Sequence, residues 1–240
     1  MLKLITLLVM ALGWSGQGLA APLVYVPNEG NATISVIDPV AMQTIDTMPY
    51  HGKTRQRING FVFDRNGTAI YVVDTIGNVL GAVRLGMGVA DRRVTATEEL
   101  EGISVSPDAR HIAICTGHEN AVVIIDAVTL NEAWRIPLAA MPDHCQYSPD
   151  GKWLLAGHQD SRIVEVLDIA ARKPATQIRL AENSRGFGFT PDGKIVFIAN
   201  QKGSQLEMVE TGRWKVVRAI SATARNGRTA TDLPLYPHRE

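Results

Sequence analysis

Residues 147–168 read YSPDGKWLLAGHQDSRIVEVLD, and this stretch predicts three short strands separated by two turns. Pro149 presets the second position of a type I turn, and Gly151 closes that turn. The apolar residues 153–156 predict a strand, and residues 157–161 predict the second turn. Residues 163–167 predict a further strand that ends at Asp168. The rest of the chain largely repeats this unit.

The repeat has a fixed period. A shift of 42 residues carries the turn at 148–152 (SPDGK) onto residues 190–194 (TPDGK). The same shift in the other direction reaches residues 106–108 (SPD), and one more reaches residues 64–67 (DRNG). A period of about 40–45 residues with about four short strands in each unit is typical of the blades of a β-propeller. A coiled coil, a helical solenoid or a Rossmann fold would not produce this pattern.

Two segments carry a family resemblance. Residues 23–38 (LVYVPNEGNATISVID) resemble the YVTN β-propeller repeat, and residues 195–200 (IVFIAN) are a second close match. The resemblance implies an all-β propeller of four-stranded antiparallel blades between residues 23 and 221. The same superfamily includes the d-type-haem propeller of cytochrome nitrite reductases, surface-layer proteins and lactonase-like enzymes. The resemblance is therefore specific for the fold and not for one function.

About five blade units can be traced, with strands named A to D from the axis outward. They cover residues 23–48, 59–95, 101–139, 143–180 and 185–220, and the first unit lacks strand A. An open sheet edge invites pairing with another chain, so propellers usually close with a strand from the far end of the chain. The tail has no alternating apolar run and is a poor closing strand. A small five-bladed ring, pairing with another chain, and an open or truncated piece of a longer propeller all remain open.

The domain organisation follows from the two ends and the repeat. Residues 1–20 combine Lys3, an apolar run and small residues before Ala21, which predicts a signal peptide cleaved after Ala20. Residues 21–221 are assigned to the propeller repeats, and residues 222–240 to an irregular tail. A periplasmic or secreted protein, with no membrane insertion after cleavage, is expected. Lysine and arginine number 24, as do aspartate and glutamate, so the charge does not favour a nucleic-acid partner.

Two columns of residues are expected to meet on one face, which we call the mouth. It holds the D–A connections and the B–C turns, where rigid scaffolds usually carry function. The end of strand B contributes Asn28, Asp74, Thr116, His158 and Asn200. The start of strand A contributes Asn59, Glu101, Asp143 and Arg185, followed by Gly60, Gly102, His144 and Gly186. The glycines are expected to allow close approach at the crowded axis.

The candidate ligand-binding residues belong to these columns and to a basic D–A loop. They are His51, Arg55, Arg57, Asp143, His144, His158, Arg185 and Asn200. His144 interrupts the glycine column, so it is interpreted either as a hydrogen-bonded loop residue or as a ligand or proton-transfer group. His158 stands where the repeat has asparagine or aspartate, which also fits a turn-capping role. The basic loop is either solvated or binds a carboxylate together with Arg185.

Other recurring residues are expected to be structural. Asp38, Asp126, Asp168 and Glu210 end strand C on the face opposite the mouth, where they are predicted to cap the C–D turn. Cys115 and Cys145 fall in adjacent blades, so they either form a disulfide or remain separate thiols. The sequence has no metal-ligand spacing, and without a CxxCH motif it indicates no covalent c-type haem. The cofactor is thus left unknown, with a non-covalent haem still open.

Three functions remain after this reading. The first is a non-catalytic binding or scaffold protein that holds a periplasmic protein partner or a small ligand at the mouth. The second is a redox-linked accessory or d-type-haem-binding propeller, which the resemblance implies and which rests on His144, His158 and the basic loop. The third is a lactonase-like hydrolase, which ranks last because no paired base and nucleophile is evident. The sequence favours a protein that is not an enzyme.

Overall fold

The protein consists of consecutive antiparallel sheets. The computed structural model describes residues 23–28, 33–49, 58–64, 66–85, 88–93, 99–158, 160–201 and 205–221. These residues form five separate sheets, one of three strands and four of four strands, with every strand paired to its neighbour in sequence. No helix is found among the described residues, and so none there could span a membrane. The predicted fold class, an all-β propeller with about five open blade units, is confirmed.

The strands follow the repeat. Blade 1 contains β1 (Val24–Asn28), β2 (Thr33–Asp38) and β3 (Gln43–Pro49). Blade 2 contains β4 (Ile58–Phe63), β5 (Ala69–Asp74), β6 (Val79–Arg84) and β7 (Gly88–Arg93). Blade 3 contains β8 (Leu100–Val105), β9 (His111–Thr116), β10 (Ala121–Asp126) and β11 (Glu132–Pro137). Blade 4 contains β12 (Pro142–Tyr147), β13 (Trp153–His158), β14 (Ile163–Asp168) and β15 (Lys173–Arg179). Blade 5 contains β16 (Ser184–Phe189), β17 (Ile195–Asn200), β18 (Gln205–Glu210) and β19 (Lys215–Ser221).

The A–B turn adopts the conformation that its sequence predicts. The Gly151 N–H donates to the Ser148 carbonyl at 2.9 Å, and the Asp150 carboxylate accepts from the Ser148 hydroxyl at 2.6 Å. Gly151 has a φ of 70°, a left-handed conformation that glycine adopts without a steric penalty. Gly67 and Gly193 have the same conformation in the equivalent turns. The glycine in this turn is therefore a requirement of the backbone.

Blade 3 has an alanine in place of this turn glycine, which allows the turn geometry to be tested. Ala109 occupies the glycine position with a φ of 59°. A left-handed residue with a Cβ costs about 1–2 kcal/mol, and glycine gives back about 0.4–1 kcal/mol through the entropy of the unfolded chain. We expect Ala109→Gly to raise the free energy of unfolding by about 0.5 kcal/mol in urea titrations, and Gly151→Ala to lower it by a similar amount. A loss of stability in Ala109→Gly would contradict the turn geometry.

Two details of the strands differ from the sequence prediction. Strand β13 continues through Gly157 to His158 instead of ending at residue 156, because Gly157 still pairs with Val164 and His158 with Pro142. The predicted C–D caps are confirmed at Asp38, Asp126 and Asp168, whose carboxylates accept backbone N–H groups of the turn at 2.8–3.1 Å. The Glu210 carboxylate instead accepts from the Arg213 guanidinium at 2.6 and 2.9 Å, since its longer side chain reaches past the turn backbone.

The core lies between the blades. Strand residues alternate between two faces, which we call the leading face, toward the preceding blade, and the trailing face, toward the following blade. Leu155 and Val164 on the trailing face of blade 4 pack with Phe187 and Val196 on the leading face of blade 5. Similar buried clusters join blades 1 and 2, blades 2 and 3, and blades 3 and 4. Each blade is thus stabilised by apolar burial against its neighbours.

The two cysteines lie in one of these clusters. Cys115 and Cys145 belong to the interface of blades 3 and 4, and both are buried free thiols in the structure. The Cys145 sulfur lies 3.9 Å from the Gly102 carbonyl oxygen and 3.8 Å from that of Ala113. Burial raises the pKa of the Cys115 thiol, and the neighbouring Cys145 raises it further. The Cys115 thiol is therefore protonated at neutral pH, and both buried cysteines pack as small apolar side chains.

Candidate functional site at the mouth

The mouth is formed as the register of the repeat predicts. The start of strand A pairs with the end of strand B in successive blades: Pro142 with His158, and Ser184 with Asn200. The candidate residues Asp143, His144, His158, Arg185 and Asn200 therefore all lie at the mouth. The other candidates, His51, Arg55 and Arg57, lie outside the described residues. The predicted signal peptide and the tail at 222–240 lie outside them as well.

A β-bulge interrupts strand A at the mouth. The pairing register shifts between Ile58 and Gly60, between Pro142 and His144, and between Ser184 and Gly186. The extra residue is Asp143 in blade 4 and Arg185 in blade 5, and both are candidate residues. Bulges redirect side chains and are frequent beside functional sites. The bulge thus directs a charged residue of each of these blades away from the regular sheet.

The glycine column has the predicted structural role where a following blade is present. A Cβ on Gly102 would lie 2.4 Å from the His144 Cα and 2.9 Å from the Asp143 carbonyl oxygen. A Cβ on Gly60 would lie 3.0 Å from the Ile103 side chain. Gly186 has no such neighbour, because no heavy atom lies within 4 Å of the position of its Cβ. Glycine therefore lets strand A of one blade approach strand A of the next.

His144 fills a space that glycine leaves free in the other blades. Its imidazole packs against the Phe187 ring, with centroids 4.7 Å apart and planes tilted by 39°. It also lies above Gly157, where a Cβ would be 2.5 Å from His144 Nε2 and 2.4 Å from Ser184 Oγ. Only a residue without a side chain fits at 157 in this arrangement. His144 is thus wedged between blades 4 and 5, with 14% of its side chain exposed.

Asp143 connects the histidine to Arg185. Its Oδ2 lies 3.4 Å from His144 Nδ1 and 3.2 Å from Arg185 Nη1. The contact with His144 is close enough for attraction but is not aligned as a hydrogen bond, whereas Arg185 donates one. The nearby His144 ring, and then Arg185, hold the pKa of Asp143 below its usual value despite burial. The carboxylate is therefore ionised at neutral pH, and Arg185 already has a partner.

Three neighbouring side chains keep hydrogen-bonding atoms buried without a partner. These atoms are Nε2 of His144, Oγ of Ser184, and Oδ1 and Nδ2 of Asn200, while His144 Nδ1 has only its misaligned contact with Asp143. Ser184 and Asn200 are each 1% exposed and face each other across the β16–β17 pair. Native proteins pair most buried polar atoms with protein or water. The cluster is therefore incompletely satisfied by the residues that the structure describes.

His158 differs from His144 in being fully engaged. Its Nε2 lies 3.2 Å from Glu165 Oε1, and its Nδ1 lies 3.2 Å from the Met141 carbonyl oxygen. Glu165 also accepts the Ala139 N–H at 3.0 Å, and the His158 ring is one cause of the lowered pKa of this carboxylate, although burial opposes the shift. Both side chains are buried. The His158–Glu165 pair thus holds the loop that leads into Asp143.

Ser184 was not singled out from the sequence. Its signals were weak: it directly precedes Arg185 and occupies the register position of Pro142 in blade 4. A serine at the start of a strand usually indicates only a turn. Its relation to His144 depends on the packing of two blades, which the repeat alone does not reveal.

The face opposite the mouth carries a groove of a different kind. It measures about 350 Å³ and lies between the A–B turns of blades 4 and 5. Its wall includes Trp153 and Trp214, whose rings meet edge to face with centroids 5.7 Å apart. At its rim, the Asp150 and Asp192 carboxylates already accept hydroxyl hydrogen bonds at 2.6 Å. The groove is thus a packed joint between blades, and the cluster of His144, Ser184 and Asn200 lies on the other face, at the mouth.

Comparison with known proteins supports the fold. No protein family and no curated protein matches this sequence. By structure, 1584 chains of solved structures match. One is the Kuenenia stuttgartiensis hydrazine synthase, with a TM-score of 0.61 and 17% identity over 71% of this chain and 51% of that chain. This chain therefore spans about half the length of that protein, and at this identity the likeness shows the fold alone.

The protein thus has a β-propeller-like fold made of open blades. The mouth between blades 4 and 5 is its candidate functional site. Among the described residues, no group of three or more histidine, cysteine, aspartate or glutamate side chains could hold a metal ion. The chemistry of the site is that of hydrogen bonding and of one ion pair, whose Arg185 side chain is exposed and whose Asp143 side chain is mostly buried.

Proposed function

We propose that this chain is a non-catalytic, exported binding protein of the YVTN type that holds a small ligand or a protein partner at the mouth. The composition of residues 1–20 supports export, and the resemblance of residues 23–38 and 195–200 supports the family. The geometry of blades 4 and 5 supports the position of the site. The ligand is a small molecule or a partner segment that carries a carboxylate.

The observation that carries this proposal is the cluster of unpartnered polar atoms on His144, Ser184 and Asn200. A buried donor or acceptor without a partner costs about 1–3 kcal/mol. One blade earlier, His158 stands in the register position of Asn200, and its two ring nitrogens are both engaged. This contrast between equivalent positions supports the proposal that the polar atoms of blade 5 bind a group outside the described chain.

Arg185 and Asp143 give the site its preference for a carboxylate. The Arg185 side chain is 55% exposed, whereas that of Asp143 is 16% exposed. An arriving carboxylate can pair with the outer side of the guanidinium, whose fork accommodates two oxygen atoms. The ion pair with Asp143 holds this fork at the mouth. A ligand that also offers a hydroxyl or amide can complete the hydrogen bonds of the cluster.

Titration with simple carboxylates tests this site. With acetate, succinate and citrate as calorimetric probes, we expect Arg185→Ala to weaken the best binder about ten-fold or more, because a charge-assisted hydrogen bond contributes about 1.5–3 kcal/mol. The melting temperature should change little, since the Arg185 side chain lies largely in solvent and Asp143 keeps its contact with His144. The matched control is Asp168→Ala, which removes a turn cap and should lower the melting temperature without affecting binding. Normal binding by Arg185→Ala together with lost binding by Asp168→Ala would place the site on the opposite face.

The redox-linked alternative finds less support in the described residues. His158 has both ring nitrogens occupied and is 2% exposed. His144 is wedged against Phe187 and Gly157, so neither histidine is presented to a planar macrocycle. These two residues do not fit the role of an axial haem ligand, and no step of a mechanism is derived through haem.

The hydrolase alternative gains residue types but not the hydrogen bond between nucleophile and base. Ser184, His144 and Asp143 are the types that serve as nucleophile, base and orienting carboxylate. However, the Ser184 hydroxyl makes no hydrogen bond to His144, so the histidine is not placed to activate it as a base. The arrangement fits recognition better than catalysis.

A further inference from the structure

The trailing face of blade 5 resembles a blade interface that no described residue covers. In blade 4 this face consists of Leu155, Val164, Val166 and Ile178, which are 0–2% exposed because blade 5 covers them. The same register in blade 5 gives Phe197, Leu206, Met208 and Ile220, all of which are only half-buried. These side chains have the same apolar character as their buried counterparts. Blade 5 therefore presents a surface built to receive a further blade.

Gly186 provides an independent sign that this face is uncovered. At Gly60 and Gly102 the following blade approaches so closely that a Cβ would meet heavy atoms at 2.4–3.3 Å. At Gly186, in the same register, no heavy atom lies within 4 Å. The close approach that this glycine permits is therefore not used by the described part of the chain.

The complementary half of such an interface is found on blade 1. Its leading face contains Val24 and Val26, which are 44% and 38% exposed, and the half-buried Ile37. The equivalent residues of blade 2 are Ile70, Val72 and Val83, which are 0–2% exposed against blade 1. The described residues thus leave the leading face of blade 1 and the trailing face of blade 5 uncovered.

We propose that a second copy of this chain covers these surfaces, with the leading face of blade 1 in one copy packed on the trailing face of blade 5 in the other. A leading face packs on a trailing face at each of the four interfaces within the chain, so the contact between copies continues an interface that already exists. Stacked repeats need their terminal faces covered. Contact between two different faces closes into a ring or continues as a fibre, and the smallest closed ring contains two copies. This inference does not depend on the ligand site at the mouth.

The proposal is tested by the oligomeric state of the full chain and of face variants. Light scattering after size exclusion is expected to show a dimer of the unaltered chain. Phe197→Glu on the trailing face and Val26→Glu on the leading face should each raise the dissociation constant at least about ten-fold, because a charge would be buried without a partner. Val217→Glu is the matched control, since Val217 is 52% exposed in blade 5 and belongs to neither face. It should leave the dimer intact.

Mixing the two variants gives the sharpest result. Each variant keeps one intact face, so a mixture of Phe197→Glu and Val26→Glu should form a dimer through a single interface, although each protein alone is monomeric. Circular dichroism should show that both variants remain folded, because both positions lie on uncovered faces. A monomeric unaltered chain, face variants that dimerise normally, or a mixture that stays monomeric would each overturn the proposal.

Discussion

Leu155→Asp is expected to cost the protein more stability than any exchange at a turn, with a loss of about 4 kcal/mol or more. Leu155 is 0% exposed and packs between blades 4 and 5 with Val164, Phe187 and Val196. The exchange removes about 1.5–3 kcal/mol of apolar burial and places an unpaired carboxylate in a dry site, which costs several kcal/mol more. Since domains are stable by about 5–15 kcal/mol, this exchange would remove a large share of the free energy of unfolding. Urea titration followed by circular dichroism would measure the loss.

Lys152→Asp is the matched control for this experiment. It introduces the same side chain three residues earlier, where the lysine side chain is 75% exposed beside the A–B turn. Exchanges at such positions usually change the free energy of unfolding by less than about 0.5 kcal/mol. The urea midpoint of Lys152→Asp should therefore stay close to that of the unaltered protein. Equal losses for the two variants would show that the register of β13 is misplaced.

Gly102→Ala is expected to have the second largest effect, a loss of about 2–3 kcal/mol, although it adds only one methyl group. Its Cβ would lie 2.4 Å from the His144 Cα, 2.9 Å from the Asp143 carbonyl oxygen and 3.0 Å from the Cys145 nitrogen. All three are backbone atoms, which cannot rotate away, so strand β12 would have to move. Overpacking of this kind typically costs about 1–3 kcal/mol. The midpoint of thermal or urea unfolding would report it.

Gly186→Ala is the matched control for Gly102→Ala, because it makes the same exchange where the added methyl group meets no described neighbour. This glycine occupies the same register two blades further on, in blade 5, yet no heavy atom of the described residues lies within 4 Å of its Cβ position. The variant should therefore be neutral, or slightly more stable through the lower entropy of its unfolded chain. If Gly186→Ala were as damaging as Gly102→Ala, the glycine column would have a backbone role, and not the packing role assigned to it.

The sequence by itself determined the blades, the A–B turn and most of the C–D caps. These features are local, and they recur at a shift of 42 residues, so each copy supports the others. Gly151 needs a left-handed φ within its own turn, and Asp168 caps a turn three residues away. Such features depend on a few neighbouring residues and therefore can be read from the chain directly.

The sequence also predicted part of the mouth. The register placed Asp143, His144, Arg185 and Asn200 on one face, because strands of equal length repeat in the same direction. The predicted close approach at Gly60 and Gly102 follows from the same register. What the register could not supply was the direction of each side chain, because the bulge in strand A shifts the alternation at the residues concerned.

Only the tertiary structure decided which polar groups are paired. His158 and Asn200 occupy equivalent positions, yet the histidine is bonded to Glu165 and Met141 while the asparagine has no partner among the described residues. Arg185 joins Asp143 across a separation of 42 residues, and His144 approaches Ser184 across the interface of two blades. These contacts depend on the distance and angle between neighbouring sheets. That geometry results from the packing of whole blades, so a repeat in the sequence cannot specify it.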